Sequence, residues 1–249
     1  MAHTNSNLPA RCVAEALATG ILCFVGAGSV VADTAFGNGG LVVVALANGL
    51  VLAALVSATL NVSGAHINPA VTLVMLVTHR IGLRAAAAYI AAQLAGAAAG
   101  GGALLVLFQG VPGGGDAIAV TALGATLPGA GVSAGTALLA EAVITFILVF
   151  VIFGTAVDSR APAVGGFGIG VAVAANILLC GPISGASMNP ARSFGPALAG
   201  GVWTAHWVYW AGPLIGALLA GLLYHHVILG AQDARSSSAA ASARAPAGR

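Results

Sequence analysis

The residues best placed to do chemistry come in matched sets. Asn68-Pro69-Ala70 lies in SGAHINPAVT (63–72), and Asn189-Pro190-Ala191 lies in SGASMNPARS (184–193). Asn caps a helix, and Pro in the first turn needs no N–H partner, so each triplet reads as a helix start. The Asn amide then sits at the helix N-terminus, free to donate to a passing oxygen. The positive dipole end beside it repels cations but not neutral molecules. Arg192 follows the second triplet, and a lone arginine in so apolar a setting is costly and therefore functional by default. Glu15 in AEALATGILCFVGAG is matched by Glu141 in AEAVITFILVFVIFG.

The elements that hold these residues must be membrane helices. Of 249 residues, 59% are hydrophobic and 6% charged, against about a quarter charged in soluble domains. That excludes a water-soluble globule, a disordered chain and a disulfide scaffold. A net charge of +2 with no basic run gives no reason to expect nucleic acid. Cys12, Cys23 and Cys180 lie in apolar stretches without ligand spacing, so no metal and no cofactor is expected. A span needs ~20 apolar residues, and such stretches fall near 11–32, 40–61, 84–108, 133–157, 163–181 and 202–229. The first is too long for a signal peptide, contains Glu15 and recurs later, so it reads as retained. The apolar pieces 68–78 and 189–199 are too short to cross.

Each half of the chain runs Glu-bearing span, span, short NPA segment, span. Three crossings is odd, so the halves insert with opposite orientation and form an inverted repeat with its site near the midplane. The two short segments enter from opposite faces and meet there. Bare backbone at that depth must line a cavity or be buried in protein. Repeat one covers about 11–108 and repeat two about 133–229 of a channel domain at 11–230. Residues 1–10 are expected to be a cytoplasmic segment, 109–131 a Gly/Pro-rich outer connection and 231–249 a disordered cytoplasmic tail. Arginines 11, 80, 84, 160, 235, 244 and 249 fall on one side, which makes both termini cytoplasmic; the membrane itself is expected to be a bacterial inner (plasma) membrane. Gly96/Gly100, Gly166/Gly170 and Gly212/Gly216 are small-xxx-small pairs that let helices cross closely.

With both NPA segments, both glutamates and this layout, the chain resembles the aquaporin or major intrinsic protein family over about 11–229. The stretch GPISGASMNPARSFGPAL (181–198) is most similar to its nodulin-like branch and bacterial relatives. The resemblance implies an all-α membrane fold of six transmembrane helices plus two re-entrant half-helices. It implies a homotetramer in membrane lipid with one pore per protomer, and no enzymatic activity. Asn68 and Asn189 become pore asparagines, Glu15 and Glu141 loop braces, and His66 a pore-lining histidine, with a packed, non-lining histidine as the alternative.

The resemblance also implies a selectivity filter of Asn48, Ile177, Ala186 and Arg192. Strict water channels of the family put an aromatic ring where Asn48 stands and histidine where Ile177 stands. Losing both widens the opening and gives it one aliphatic wall. Water and small uncharged solutes are then the expected partners: glycerol, urea, or metalloid hydroxides such as arsenous or boric acid. Asn48 instead bonding between helices, and a one-residue slip placing Asn176 in the wall, stay open. The branch signals are mixed, since Ser193 and Ala197 stand where the glycerol branch carries Asp and a basic residue, and Tyr209–Trp210 is more like the water branch. Rival functions are a strict water channel, an ion-coupled transporter using Glu15 or Glu141, and an intramembrane hydrolase pairing Ser187 with His206 or His225.

Overall fold

The computed structural model describes residues 7–37, 39–162 and 164–230. Among these, six helices are long and apolar enough to cross a membrane. They are α1 (Leu8–Phe36), α2 (Leu41–Ser63), α4 (Leu83–Gln109), α6 (Ala134–Ile152), α7 (Phe167–Ser184) and α9 (Val208–Leu223). Helices α6 and α9 run on as π-helical turns over Phe153–Val157 and Tyr224–Leu229. The short helices α3 (Pro69–Val77) and α8 (Pro190–Gly200) carry the NPA triplets, and α5 (Gly114–Thr121) lies between the halves. All belong to one integral, multi-pass membrane protein. Their outward residues, among them Leu17, Leu50, Val106, Leu139 and Leu179, are the large apolar side chains that hydrocarbon accepts.

Pairing follows the repeat: α1 packs on α4 as α6 packs on α9, and α2 meets α7 across the two halves. Small residues make these contacts close. A Cβ on Gly96 or Gly100 would overlap the backbone carbonyls of Ala16 or Gly20 in α1. Gly166 and Gly170 stand likewise against Ala53 and Gly49 of α2, and Gly216 against Ala142 of α6. In lipid, where helices gain no hydrophobic drive toward one another, such backbone proximity supplies the dispersion that holds them.

Some boundaries differ from the sequence reading. Helix α1 begins at Leu8, inside the expected 1–10 segment, because Asn7 Oδ1 accepts from Ala10 N at 3.0 Å and Pro9 suits the first turn. The last span begins at Val208 instead of 202, after turns over the preceding residues. Within the 109–131 connection, α5 and the following 3₁₀ turn (Ala122–Gly124) bury Ala117 and Leu123 against α1. The expected tail at 231–249 lies outside the described residues.

Below the π turn of α6, Asp158 Oδ1 accepts from Arg160 N and Nε at 2.9 and 3.0 Å, Oδ2 accepts from Arg160 Nη2 at 2.7 Å, and Tyr224 OH donates to Oδ2 at 3.3 Å. Those donors hold the carboxyl well below the usual carboxylate range. A depressed carboxylate stabilises above its unfolded value and loses that contribution as pH falls through the folded one. Asp158→Ala is therefore expected to lower the thermal midpoint in detergent. The gap to wild type should hold between about pH 8 and 5 and close only in stronger acid; a gap that closes near neutrality would remove the carboxylate from the clamp.

Candidate functional site

The site is built where two re-entrant loops meet. Asn68 Oδ1 caps α3 by accepting from Ala70 N at 2.8 Å. Asn189 Oδ1 caps α8 by accepting from Ala191 N at 3.0 Å and Arg192 N at 3.3 Å. Each amide also reaches across the midplane: Asn68 Nδ2 donates to Met188 O at 2.8 Å, and Asn189 Nδ2 donates to Ile67 O at 2.9 Å. One N–H of each amide is thus spent joining the stubs. The second N–H of each remains for the lumen, since an amide NH2 carries two donors.

The loops themselves are strained. Ala65, Ile67, Ala186 and Met188 all have φ between 47° and 55°, a region that costs side-chain-bearing residues about 1–3 kcal/mol each. Two buried carboxylates hold them. Glu15 Oε1 accepts from Ser63 Oγ (2.6 Å) and His66 N (2.9 Å), and Oε2 accepts from Ile67 N (2.6 Å) and Gln93 Nε2 (2.8 Å). Glu141 does the same for repeat two, accepting from Ser184 Oγ (2.8 Å), Ser187 N (2.9 Å) and Met188 N (2.8 Å). Both glutamates are fully buried, and neither borders the two cavities that meet at Arg192. A proton-coupled path through them has no geometric support.

Two cavities share part of their lining. The inner one passes Leu60, His66, Asn68 and Asn189. The outer one opens toward Asp33, Gly40 and Thr126. The residues common to both are Asn48, Ile177, Ala186 and Arg192. Asn176, the alternative for the wall, instead donates Nδ2 to Ile144 O at 2.9 Å, in the α6–α7 contact. Asn48 lines the junction and also bonds between helices, with Nδ2 donating to Val44 O at 2.8 Å and to Gly26 O of α1 at 3.3 Å. Arg192 is buried, and its Nη1 donates to Gly124 O at 3.0 Å.

His66 lines the inner cavity, and its Nδ1 lies 3.1 Å from Thr72 Oγ1. That hydroxyl donates its own proton to Asn68 O at 3.0 Å and accepts from Gln93 Nε2 at 3.0 Å. Nδ1 must therefore carry the proton, which leaves Nε2 of the neutral ring as an acceptor. Among the described residues, Ser187 Oγ hydrogen-bonds with Asn189 O, Asn189 N and Ser193 Oγ and with no histidine, which gives the imagined hydrolase dyad no support.

The family model described as "Major intrinsic protein" matches residues 2–224. The chain belongs to the major intrinsic protein family. This major intrinsic protein is 50% identical to Aquaporin TIP4-4 of Zea mays over 90% of each chain. It is 44% identical to Probable aquaporin TIP3-2 of Arabidopsis thaliana, covering 87% of this chain and 83% of that one. Among solved structures, the aquaglyceroporin from Plasmodium falciparum superposes with a TM-score of 0.81 at 22% identity, covering 91% of this chain and 99% of that one, which supports the fold. The relatives from Zea mays and Arabidopsis thaliana carry plant TIP names. They lend no support to the nodulin-like branch or to a bacterial inner membrane.

Sequence reasoning passed over Gln93, Thr72, Thr126 and Gly124. Gln93 had a signal, a lone amide in an Ala/Gly-rich span. Thr126 and Gly124 had none, since nothing in a Gly/Pro-rich connection marks a residue that folds back onto the site.

Proposed function

We propose that Asn48, Ile177, Ala186 and Arg192 form the selectivity filter of a channel wide enough for uncharged solutes larger than water. The chain is a passive channel for water and small solutes, not a catalyst. The observation that carries the filter reading is that these four residues alone line both cavities. Ile177 and Ala186 offer an aliphatic wall. The polar side differs from expectation, because Asn48 has both amide N–H groups committed to carbonyls. Arg192, with Nη1 on Gly124 O and its other guanidinium donors remaining, supplies the hydrogen bonds to a solute, and His66 Nε2 supplies an acceptor further in.

The caps of α3 and α8 place two positive dipole ends at the midplane, and Arg192 adds a full charge. That field supports exclusion of cations and hydrated protons while uncharged molecules pass. Urea, glycerol and metalloid hydroxides fit a filter of one cation and an aliphatic wall. Arginine placement supports both termini on the cytoplasmic side, and the homotetramer rests on the family resemblance.

Stopped-flow light scattering on proteoliposomes, with water, glycerol, urea and arsenous acid gradients, tests the reading. Water flux and flux of at least one solute are expected, each set by its own gradient and indifferent to an imposed proton or sodium gradient. Water flux with every solute excluded would establish the rival reading, a strict water channel, and remove the wide filter.

A further inference from the structure

The two-fold symmetry of the bracing around the two loops breaks at Gln93. In repeat one, Tyr89 OH of α4 donates to Ser63 O at 2.6 Å, and in repeat two Tyr209 OH of α9 donates to Ser184 O at 2.7 Å. One helical turn further along α4 stands Gln93, whose Nε2 donates to Glu15 and to Thr72. One turn along α9 stands Pro213, which has no donor to offer. The second half-helix takes its extra donor from elsewhere. Thr126 Oγ1, in the α4–α6 connection, lies 2.6 Å from Ser193 Oγ, and Ser193 Oγ lies 2.5 Å from Ser187 Oγ.

The direction of this chain of hydroxyls is fixed by its end. Ser187 Oγ donates to Asn189 O at 2.8 Å, which uses its only proton. Ser193 must then donate to Ser187, and Thr126 to Ser193. Three donors in series terminate on the carbonyl of Asn189, the residue that caps α8, three positions before the filter arginine. The same connection reaches α8 and its loop at two more points: Gly124 O accepts from Arg192 Nη1, and Gly129 N donates to Ile183 O at 2.9 Å. Thr126 packs against Gly185, the turn that starts the second loop.

We propose that Thr126 is a positioning residue for the second NPA cap and for Arg192, acting through Ser193 and Ser187. The connection between the halves is then a structural part of the filter, replacing the internal brace that Gln93 gives to repeat one. Ser193 is buried and lines neither cavity, so it transmits position without touching the solute. The proposal rests on the passive-channel reading and deepens it.

The test compares Thr126→Val, Thr126→Ser, Ser193→Ala and the Thr126→Val/Ser193→Ala pair in the same proteoliposome assay, reading glycerol and urea flux relative to water flux. Thr126→Val keeps the shape and deletes the donor. It should loosen Arg192 and raise the solute-to-water ratio about fivefold, the factor that corresponds to one lost hydrogen bond. Ser193→Ala should raise it similarly, the double variant no further, and Thr126→Ser should keep the wild-type ratio. Should Thr126→Val fail to reach the membrane, Ser193→Ala alone still carries the test. An unchanged ratio in Ser193→Ala would overturn the relay, as would a Thr126→Ser variant that shifts as far as Thr126→Val. Wild-type vesicles without water or solute flux would refute the channel reading instead, so the two failures are distinct.

Discussion

Replacing Asn48 by Phe and Ile177 by His together will cut solute flux about tenfold more than water flux, equivalent to a barrier rise of ~1.4 kcal/mol for the solute alone. The reason is local geometry. Asn48 fits its site because Gly26 has no side chain: a Cβ there would overlap Asn48 Oδ1, and the amide is pinned to Gly26 O and Val44 O. A phenyl ring has neither the size for that notch nor the donors for those carbonyls. It is pushed toward the lumen, where Asn48 borders both cavities. Histidine at 177 replaces an aliphatic wall facing Arg192 by a ring that needs hydrogen-bond partners, and water is the molecule small enough to serve as one. The measurement is the glycerol-to-water and urea-to-water permeability ratio against wild type. A ratio unchanged within error would mean that the narrowest point lies elsewhere. The single Asn48→Phe variant should give part of the effect, because Ile177 still leaves the opposite wall low and dry.

What could be read from the sequence has a physical pattern. The stubs and their caps were legible because Asn-Pro has one strong local use, to begin a helix, and because two copies in one repeat multiply the signal. Glu15 and Glu141 stood out because a carboxylate in an apolar span is expensive unless donors surround it. The close-packing glycines were legible for the same kind of reason: an unbranched backbone at helical spacing has few other purposes in a membrane. Thr126 was not legible. A threonine in a Gly/Pro-rich connection has many cheap uses, and only the folded chain brings it to Ser193, far along the sequence. Asn48 was half legible: its position at the junction followed from the family resemblance, while the commitment of its donors to carbonyls depends on Gly26 on a neighbouring helix. Properties set by one residue's own backbone chemistry are visible in order along the chain, and properties set by which remote partner arrives are not.

Glu141→Gln will abolish the folded channel despite being isosteric, and Glu15→Gln will do the same. Glu141 accepts three hydrogen bonds and donates none, with Ser184 Oγ and Ser187 N on Oε1 and Met188 N on Oε2. A carboxylate is acceptor-only and meets that pattern at both oxygens. A glutamine has one acceptor end. If its oxygen takes the Ser184 and Ser187 donors, its NH2 group faces Met188 N–H, donor against donor; flipped, it abandons two donors to satisfy one. A buried group left without its partner costs about 1–3 kcal/mol. The loss falls on Met188 or Ser187, in a loop where Ala186 and Met188 already hold positive φ. That strain persists only while the carboxylate over-determines the backbone, so a small deficit releases it. Once Met188 turns, its carbonyl leaves Asn68 Nδ2, and the junction of the stubs opens. Glu15 has four donors to satisfy and so less tolerance still. Glu→Asp should be gentler, since it keeps both acceptors and loses only reach. The measurement is monodispersity and thermal midpoint in detergent, followed by water flux where protein survives. Wild-type water permeability in either Gln variant would show that the loops hold without these braces.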